Sequence, residues 1–264
     1  MVSPLTPGRV AIASVFVAVG LIAALVVREH AAHSGSPPLI VYAAASLRLP
    51  FTQIAADYEA ETGRRVELRF GASEDILTRV KLPSVAEPAD LFAPADESYV
   101  RMAERDGCVA DSAVVARMRA VLLVAPGKGE QFREWSDFTS RDARVSLANE
   151  GAAIGRLTRQ RLTAIGRWRE LEPRVVGAGT VTDSANAAKV GGADAAIVWD
   201  AVAKYYPDQT MRELPELAGI EAEVRVATLR QSRDAAEADR FLRFVTDPEQ
   251  GLRRLREYGF RVAE

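Results

Sequence analysis

The sequence predicts an α/β fold with mostly parallel sheet, and three observations carry that prediction. Strand-like and helix-like segments alternate from Leu39 to near the C-terminus, the signature of parallel strands joined by helical crossovers. Several strand candidates are unbroken apolar runs, as expected of strands covered on both faces. The segments between them carry helical spacing, clearest at Phe51, Ile54, Ala55 and Tyr58, which fall at i, i+3, i+4 and i+7 on one face.

Taken in order, the first strand is Leu39–Tyr42. It runs through VYAAASL (residues 41–47) into the helix that carries that apolar face, and Gly63 ends the helix. Strand Val66–Phe70 leads through FGAS into the helical segment EDILTRVK. Strands Asp90–Phe92 and Ala120–Ala125 come next. Arg144–Ala148 precedes helical RLTRQRL, Arg174–Val176 precedes ANAAKV, and Ala195–Trp199 and Glu223–Leu229 are the last strands. Asp247-Pro248 reads as the cap and first-turn proline of a helix, and Gly259 as its stop.

The N-terminus is of another kind. Val10–Val27 is an uncharged apolar run between Arg9 and Arg28. It is longer than a usual signal-peptide core and near the short limit for a spanning helix, with no A-x-A cleavage pattern after it. The expectation is an uncleaved anchor rather than a cleaved signal peptide. Residues 28–38 are a polar, Ser/Gly/Pro-rich tether, so residues 1–38 form a membrane anchor or signal segment plus linker. The remainder is then exported, periplasmic or on the outer face of the cytoplasmic membrane, tethered by residues 10–27.

Composition excludes several functions. With 34 basic and 36 acidic residues among 264, the formal charge is −2, and neither nucleic acid nor anionic lipid is favoured as a partner. Cys108 is the only cysteine, which rules out an intramolecular disulfide and a CxxC metal site; it is expected as a small core hydrophobe. Both histidines, His30 and His33, lie in the linker. The folded body therefore holds no Ser-His-Asp or Cys-His arrangement and lacks the commonest zinc ligand. No SxxK follows Ser46 or Ser73, and G-x-S-x-G is absent, so an enzyme is not expected.

In open α/β sheets ligands sit beyond the carboxyl ends of strands, near helix N-termini. Four strand-to-helix junctions here are built from small residues: AAAS ending at Ser46, FGAS ending at Ser73, ANEGAAIG (148–155) and GAGTVTDS (177–184). None contains Lys or Arg, and no GxxxxGK[ST] is present, which argues against a nucleotide phosphate loop. Helix N-termini present unpaired N–H groups and a partial positive charge. Several aimed at one point make an anion site without a cationic side chain. Hydrogen bonds to a charged acceptor are worth about 1.5–3 kcal/mol each, so roughly five to seven of them support micromolar to nanomolar binding after the cost of association.

These residues resemble the molybdate-binding proteins that serve ABC importers. The resemblance runs from about Leu39 to the end, on VYAAASL, FGAS, EPADLFAPAD (87–96), VLLVAP (121–126), AAIVWDAVA (195–203) and the terminal YGF (258–260). It implies a two-lobed periplasmic-binding-protein-like (type II) fold with two crossover hinge strands. Lobe one would be 39–118 plus 226–264, and lobe two 119–225. It further implies a monomer that captures molybdate or tungstate without chemistry or cofactor and hands it to an ABC permease and its ATPase subunit. The family holds its tetrahedral oxyanion with two serines from lobe one, and with two backbone N–H groups and a tyrosine hydroxyl from lobe two. By motif the serines are Ser46 and Ser73, and the backbone donors are Ile154 and Val181. Trp199 stands where the family has tyrosine; it walls the pocket and can offer only an indole N–H. The junction ANEGAAIG also lacks a proline common in the family.

Other readings stay open at this stage. Glu74 and Asp75 directly follow Ser73 and are expected to stabilise the helix start while facing solvent; pointing inward they would repel a dianion unless Arg48 paired with them. Tyr205-Tyr206 resembles the tyrosine pair of ferric-ion binding relatives, which would need nearby carboxylates such as Asp200 and Asp208, but surface aromatics are the expectation. Another oxyanion binder of the same fold, or a membrane-tethered oxyanion sensor working through a partner, fits the same residues.

Overall fold

A computed structural model describes residues 37–82, 88–139 and 142–262. In chain order the elements are β1 (Leu39–Ala44), α1 (Arg48–Thr62), β2 (Val66–Gly71), α2 (Ser73–Lys81), β3 (Leu91–Ala93), α3 (Glu97–Arg105), β4 (Val109–Val124), α4 (Trp135–Thr139) and β5 (Val145–Ala148). There follow α5 (Ala153–Ala164), α6 (Trp168–Leu171), β6 (Val175–Ala178), α7 (Val181–Lys189), β7 (Ala195–Trp199), α8 (Asp200–Ala203), β8 (Thr210–Arg212), β9 (Glu221–Leu229), α9 (Ala235–Thr246), α10 (Gly251–Glu257) and β10 (Arg261–Val262). The expected anchor at residues 10–27 lies outside the described residues. Among those described, no helix is long and apolar enough to cross a membrane.

The strands run in the order β2-β1-β3-β9-β4-β7-β5-β6, with β8 and β10 also paired to β4. β1 lies parallel between β2 and β3, and β5 lies parallel between β6 and β7. Every residue of β1, β5 and β7 is buried, which is why they read as continuous apolar runs. β2, on the edge, is only partly covered. Phe51, Ile54, Ala55 and Tyr58 bury the inner face of α1. That helix ends at Gly63 in the left-handed conformation (φ +73°), whose N–H bonds to the Glu59 carbonyl, as its glycine predicts.

Three features depart from the sequence reading. First, the sheet is mixed rather than mostly parallel. β4 pairs antiparallel with β7, β8, β9 and β10, and β3 with β9. Second, β4 spans 16 residues, far beyond the expected Ala120–Ala125. Its N-terminal part pairs with β9 and carries exposed Ala110, Asp111 and Arg117 among its apolar residues, so no apolar run marks it. Register shifts between Val109 and Asp111 and between Val114 and Ala116 break its alternation as well. Third, Asp247-Pro248 does not start a helix. Asp247 is extended (ψ 129°) after α9, as a residue before proline prefers. Its Oδ1 accepts from the Glu249 N–H at 2.8 Å, and α10 begins only at Gly251. Gly259 does follow the end of α10, with φ +86°.

Buried polar groups tie the elements together. Asp90, of the PADLF motif, accepts from the Ile40 N–H (2.8 Å), the Ser232 hydroxyl (2.6 Å) and the Arg233 N–H (3.2 Å), and so joins β1 to the start of the C-terminal helices. Tyr58 donates to Glu237 at 2.6 Å, linking α1 to α9. Cys108 is half-buried against the core rather than within it.

Candidate functional site

The site is assembled by strand register. β1 and β2 end side by side, Ala44 opposite Gly71, so the residues two beyond each, Ser46 and Ser73, emerge together. In the other group β5 and β6 end with Ala148 opposite Ala178, ahead of the segments carrying Ile154 and Val181. Trp199 closes β7, opposite Ala120 of β4. All five residues named from the sequence, Ser46, Ser73, Ile154, Val181 and Trp199, line one cleft. Its wall also contains Ala44, Ala45, Gly71, Ala72, Ala95, Ala152, Ala153 and Thr180. No charged side chain lines it.

The helix starts around the cleft are unusual. Ala44, Ala72 and Ala152 occupy the N-cap positions, all extended, and none supplies a side-chain cap. Alanine is among the poorest N-cap residues, costing about 0.5–2 kcal/mol relative to Ser, Thr, Asp or Asn. These three starts thus have no side-chain capping oxygen from their own chain segment, although the Glu74 N–H in the first turn of α2 is taken by the Gly151 carbonyl at 3.0 Å. The fourth end is capped conventionally: Thr180 and Asp183 form a capping box on α7. Ser73 is therefore the first residue of α2 rather than its cap, and Ser46 sits in a 3-10 turn (Ala45–Leu47) ahead of α1.

The two hydroxyls differ. Ser73 Oγ accepts from the Ala95 N–H at 3.2 Å, which leaves its own hydrogen free to donate. Ser46 is 2 % exposed, and its Oγ has no hydrogen-bond partner in the protein. A buried hydroxyl without a partner costs about 1–3 kcal/mol, so the fold tolerates a loss there that only an acceptor inside the cleft would offset. Gly155 sets the depth of one wall. A Cβ there would lie 2.1 Å from the carbonyl oxygens of both Ala148 and Asn149, so only glycine lets α5 start this close to the end of β5.

The residues weighed against the site lie away from it. Glu74 and Asp75 are exposed and do not line the cleft, as expected, and the Arg48 guanidinium stacks 4.3 Å from the Phe70 ring centre instead of pairing with them. Tyr205 and Tyr206 are not surface aromatics. Tyr206 is buried and donates to Asn186 at 3.0 Å, and Tyr205 packs edge-on against Tyr258. Burial pushes both phenols above their ordinary range, the wrong direction for a phenolate ligand. Asp200 accepts from the Arg119 and Ala201 amides. Among the described residues no three His, Cys, Asp or Glu side chains gather as a metal site.

Two wall residues lie in motifs quoted from the sequence but were not named as contacts. Ala95 acts through a backbone N–H, which no side-chain pattern reveals. Thr180 had a legible signal, the Thr-x-x-Asp spacing of a capping box.

Comparisons with known proteins bear on the fold and the family. The molybdate-binding protein ModA of Mycobacterium tuberculosis is 30% identical over 229 residues, covering 86% of this chain and 85% of that protein. The periplasmic molybdate-binding protein of Azotobacter vinelandii superposes with a TM-score of 0.75 at 19% identity, over 86% of this chain and 100% of that one. The sulfate-binding protein SubI of Mycobacterium tuberculosis superposes at 0.72 with 15% identity, over 87% and 88%. The fold is accordingly that of the type II periplasmic binding proteins, and the role is binding rather than catalysis. Residues 39–261 match the family model described as bacterial extracellular solute-binding protein, and the chain belongs to that family.

Proposed function

We propose that this protein captures molybdate or tungstate in the cleft and passes it to an ABC permease and its ATPase subunit. One observation carries the reading: a buried, uncharged cleft in which three helix N-termini lack side-chain caps and Ser46 Oγ lacks a partner. Such a wall offers donors and partial positive charge, and it asks for a compact acceptor carrying full negative charge. Ser46 and Ser73 donate hydroxyl and backbone hydrogen bonds, Ile154 and Val181 donate backbone N–H groups, and Trp199 walls the cleft. The lobes are 39–118 with 226–264, and 119–225; β4 and β9 cross between them. The protein works as a monomer outside the cytoplasm, held to the membrane by residues 10–27. The similarity to the ModA protein supports molybdate over other tetrahedral dianions. Tyr206 bonded to Asn186, Tyr205 packed on Tyr258 and Asp200 held by the Arg119 and Ala201 amides weigh against the ferric-ion reading.

A thermal-shift panel on residues 37–264 with molybdate, tungstate, sulfate, phosphate and ferric citrate tests this. A ligand at 100 times its dissociation constant adds about 2.7 kcal/mol of stability. Molybdate or tungstate should shift the transition most. A larger shift with sulfate would reassign the ligand, and no shift with any oxyanion would overturn the reading.

A further inference from the structure

A compact polar network lies beside the cleft but takes no part in its wall. Arg156, on α5 two residues after Ile154, donates through Nη2 to Asp96 Oδ1 at 2.8 Å and to Ser98 Oγ at 2.7 Å. Its Nε reaches the Tyr99 hydroxyl at 3.4 Å, and its guanidinium sits 5.1 Å from that ring centre. The Tyr99 hydroxyl donates to the Gly151 carbonyl at 3.4 Å, and the same carbonyl accepts from the Glu74 N–H at 3.0 Å. Glu74, Asp96, Ser98 and Tyr99 belong to the segment ending at 118, while Gly151 and Arg156 belong to 119–225. Every one of these bonds therefore crosses from one lobe to the other.

We propose that Arg156 is a latch that holds the lobes together and so sets how slowly a captured ligand leaves. This rests on the two-lobed cleft reading given above. The Arg156 and Asp96 side chains are only 22% and 9% exposed, so the pair is largely shielded from water and its separation is costly in a way that a surface pair's is not. The two partners are unequal. Asp96 caps α3 by accepting from the Ser98 N–H, so it keeps a partner when the lobes part, while Arg156 loses every bond named here. Opening the cleft thus requires Arg156 to return to water. A contact made only in the closed form shifts the open–closed balance by its whole free energy, and that appears in the rate of release rather than of capture.

The test uses the full chain loaded with radiolabelled molybdate and chased with unlabelled molybdate, in wild type, Arg156→Gln, Asp96→Asn and the double variant. Asparagine is itself a good N-cap, so α3 keeps its start in Asp96→Asn. Release should quicken roughly tenfold in each single variant, and no further in the double, with little change in the association rate. Unchanged release in Arg156→Gln, or additive effects in the double, would overturn the latch. A loss confined to the association rate would overturn it too, since it would make Arg156 an attractor of anions. If wild type fails to bind molybdate, the ligand reading is what fails. Small-angle scattering of the ligand-free proteins then decides the latch: a larger radius of gyration for Arg156→Gln supports it, and an identical one ends it.

Discussion

Ser73 Oγ accepts the hydrogen bond of the Ala95 amide, 3.2 Å away, so the hydroxyl of one junction is oriented by the backbone of another. Ser73→Ala removes a proposed ligand donor and leaves the Ala95 N–H buried without a partner. Molybdate affinity should fall by about 1–3 kcal/mol, and the ligand-free protein should lose about 1 kcal/mol. Titration calorimetry and denaturant unfolding measure the two losses separately.

Ser46→Ala should split those two readouts. Its hydroxyl has no protein partner to lose, so the ligand-free fold should keep its stability or gain up to about 1 kcal/mol, while molybdate binding weakens by about 1–3 kcal/mol. A variant that unfolds more easily and binds as before would contradict the role given to Ser46.

Gly155→Ala should damage both. The added methyl would sit 2.1 Å from two carbonyl oxygens, and the backbone at the start of α5 must move to admit it. Overpacking of this kind costs about 1–3 kcal/mol or more. It also withdraws the Ile154 amide from the cleft, so melting temperature and molybdate affinity should drop together.

Acid sensitivity should depend on Asp57. Its carboxylate accepts from Arg254 Nε at 2.6 Å and Nη2 at 3.1 Å, joining α1 to α10. Burial alone would raise its pKa, but the Arg254 and Gln53 hydrogen bonds outweigh that and hold it below the ordinary 3.8. A carboxylate depressed in the folded state stabilises the protein above its unfolded pKa, and that contribution fades as pH falls through the folded value. Asp57→Asn should therefore cost about 1 kcal/mol at neutral pH. Melting curves of wild type and variant should converge as pH drops below about 4. A gap that persists at pH 2 would place the effect elsewhere.

Much of the candidate site was legible because it is made of local features. AAAS and FGAS announce themselves as strand ends stripped of side chains, and the register of β1 with β2 brings their serines together without further instruction. What escaped depends on segments far apart in sequence. The N-terminal part of β4 gains its strand character from pairing with β9, a hundred residues on, and its own residues alternate too poorly to reveal it. Asp247-Pro248 carries a genuine cap signal, but α9 already occupies the preceding turn and the proline forces a break before α10. Arg156 is one arginine among many until α5 is docked opposite Asp96.

Trp199 is buried to 1 % exposure in the wall of the cleft. The chain's other two indoles are engaged elsewhere, Trp135 donating to Glu170 and Trp168 lying beneath Arg159. An arriving dianion would alter the electric field around one chromophore while the other two emit unchanged. If the cleft takes a dianion as proposed, tryptophan emission should report its occupancy without a dye or a tag.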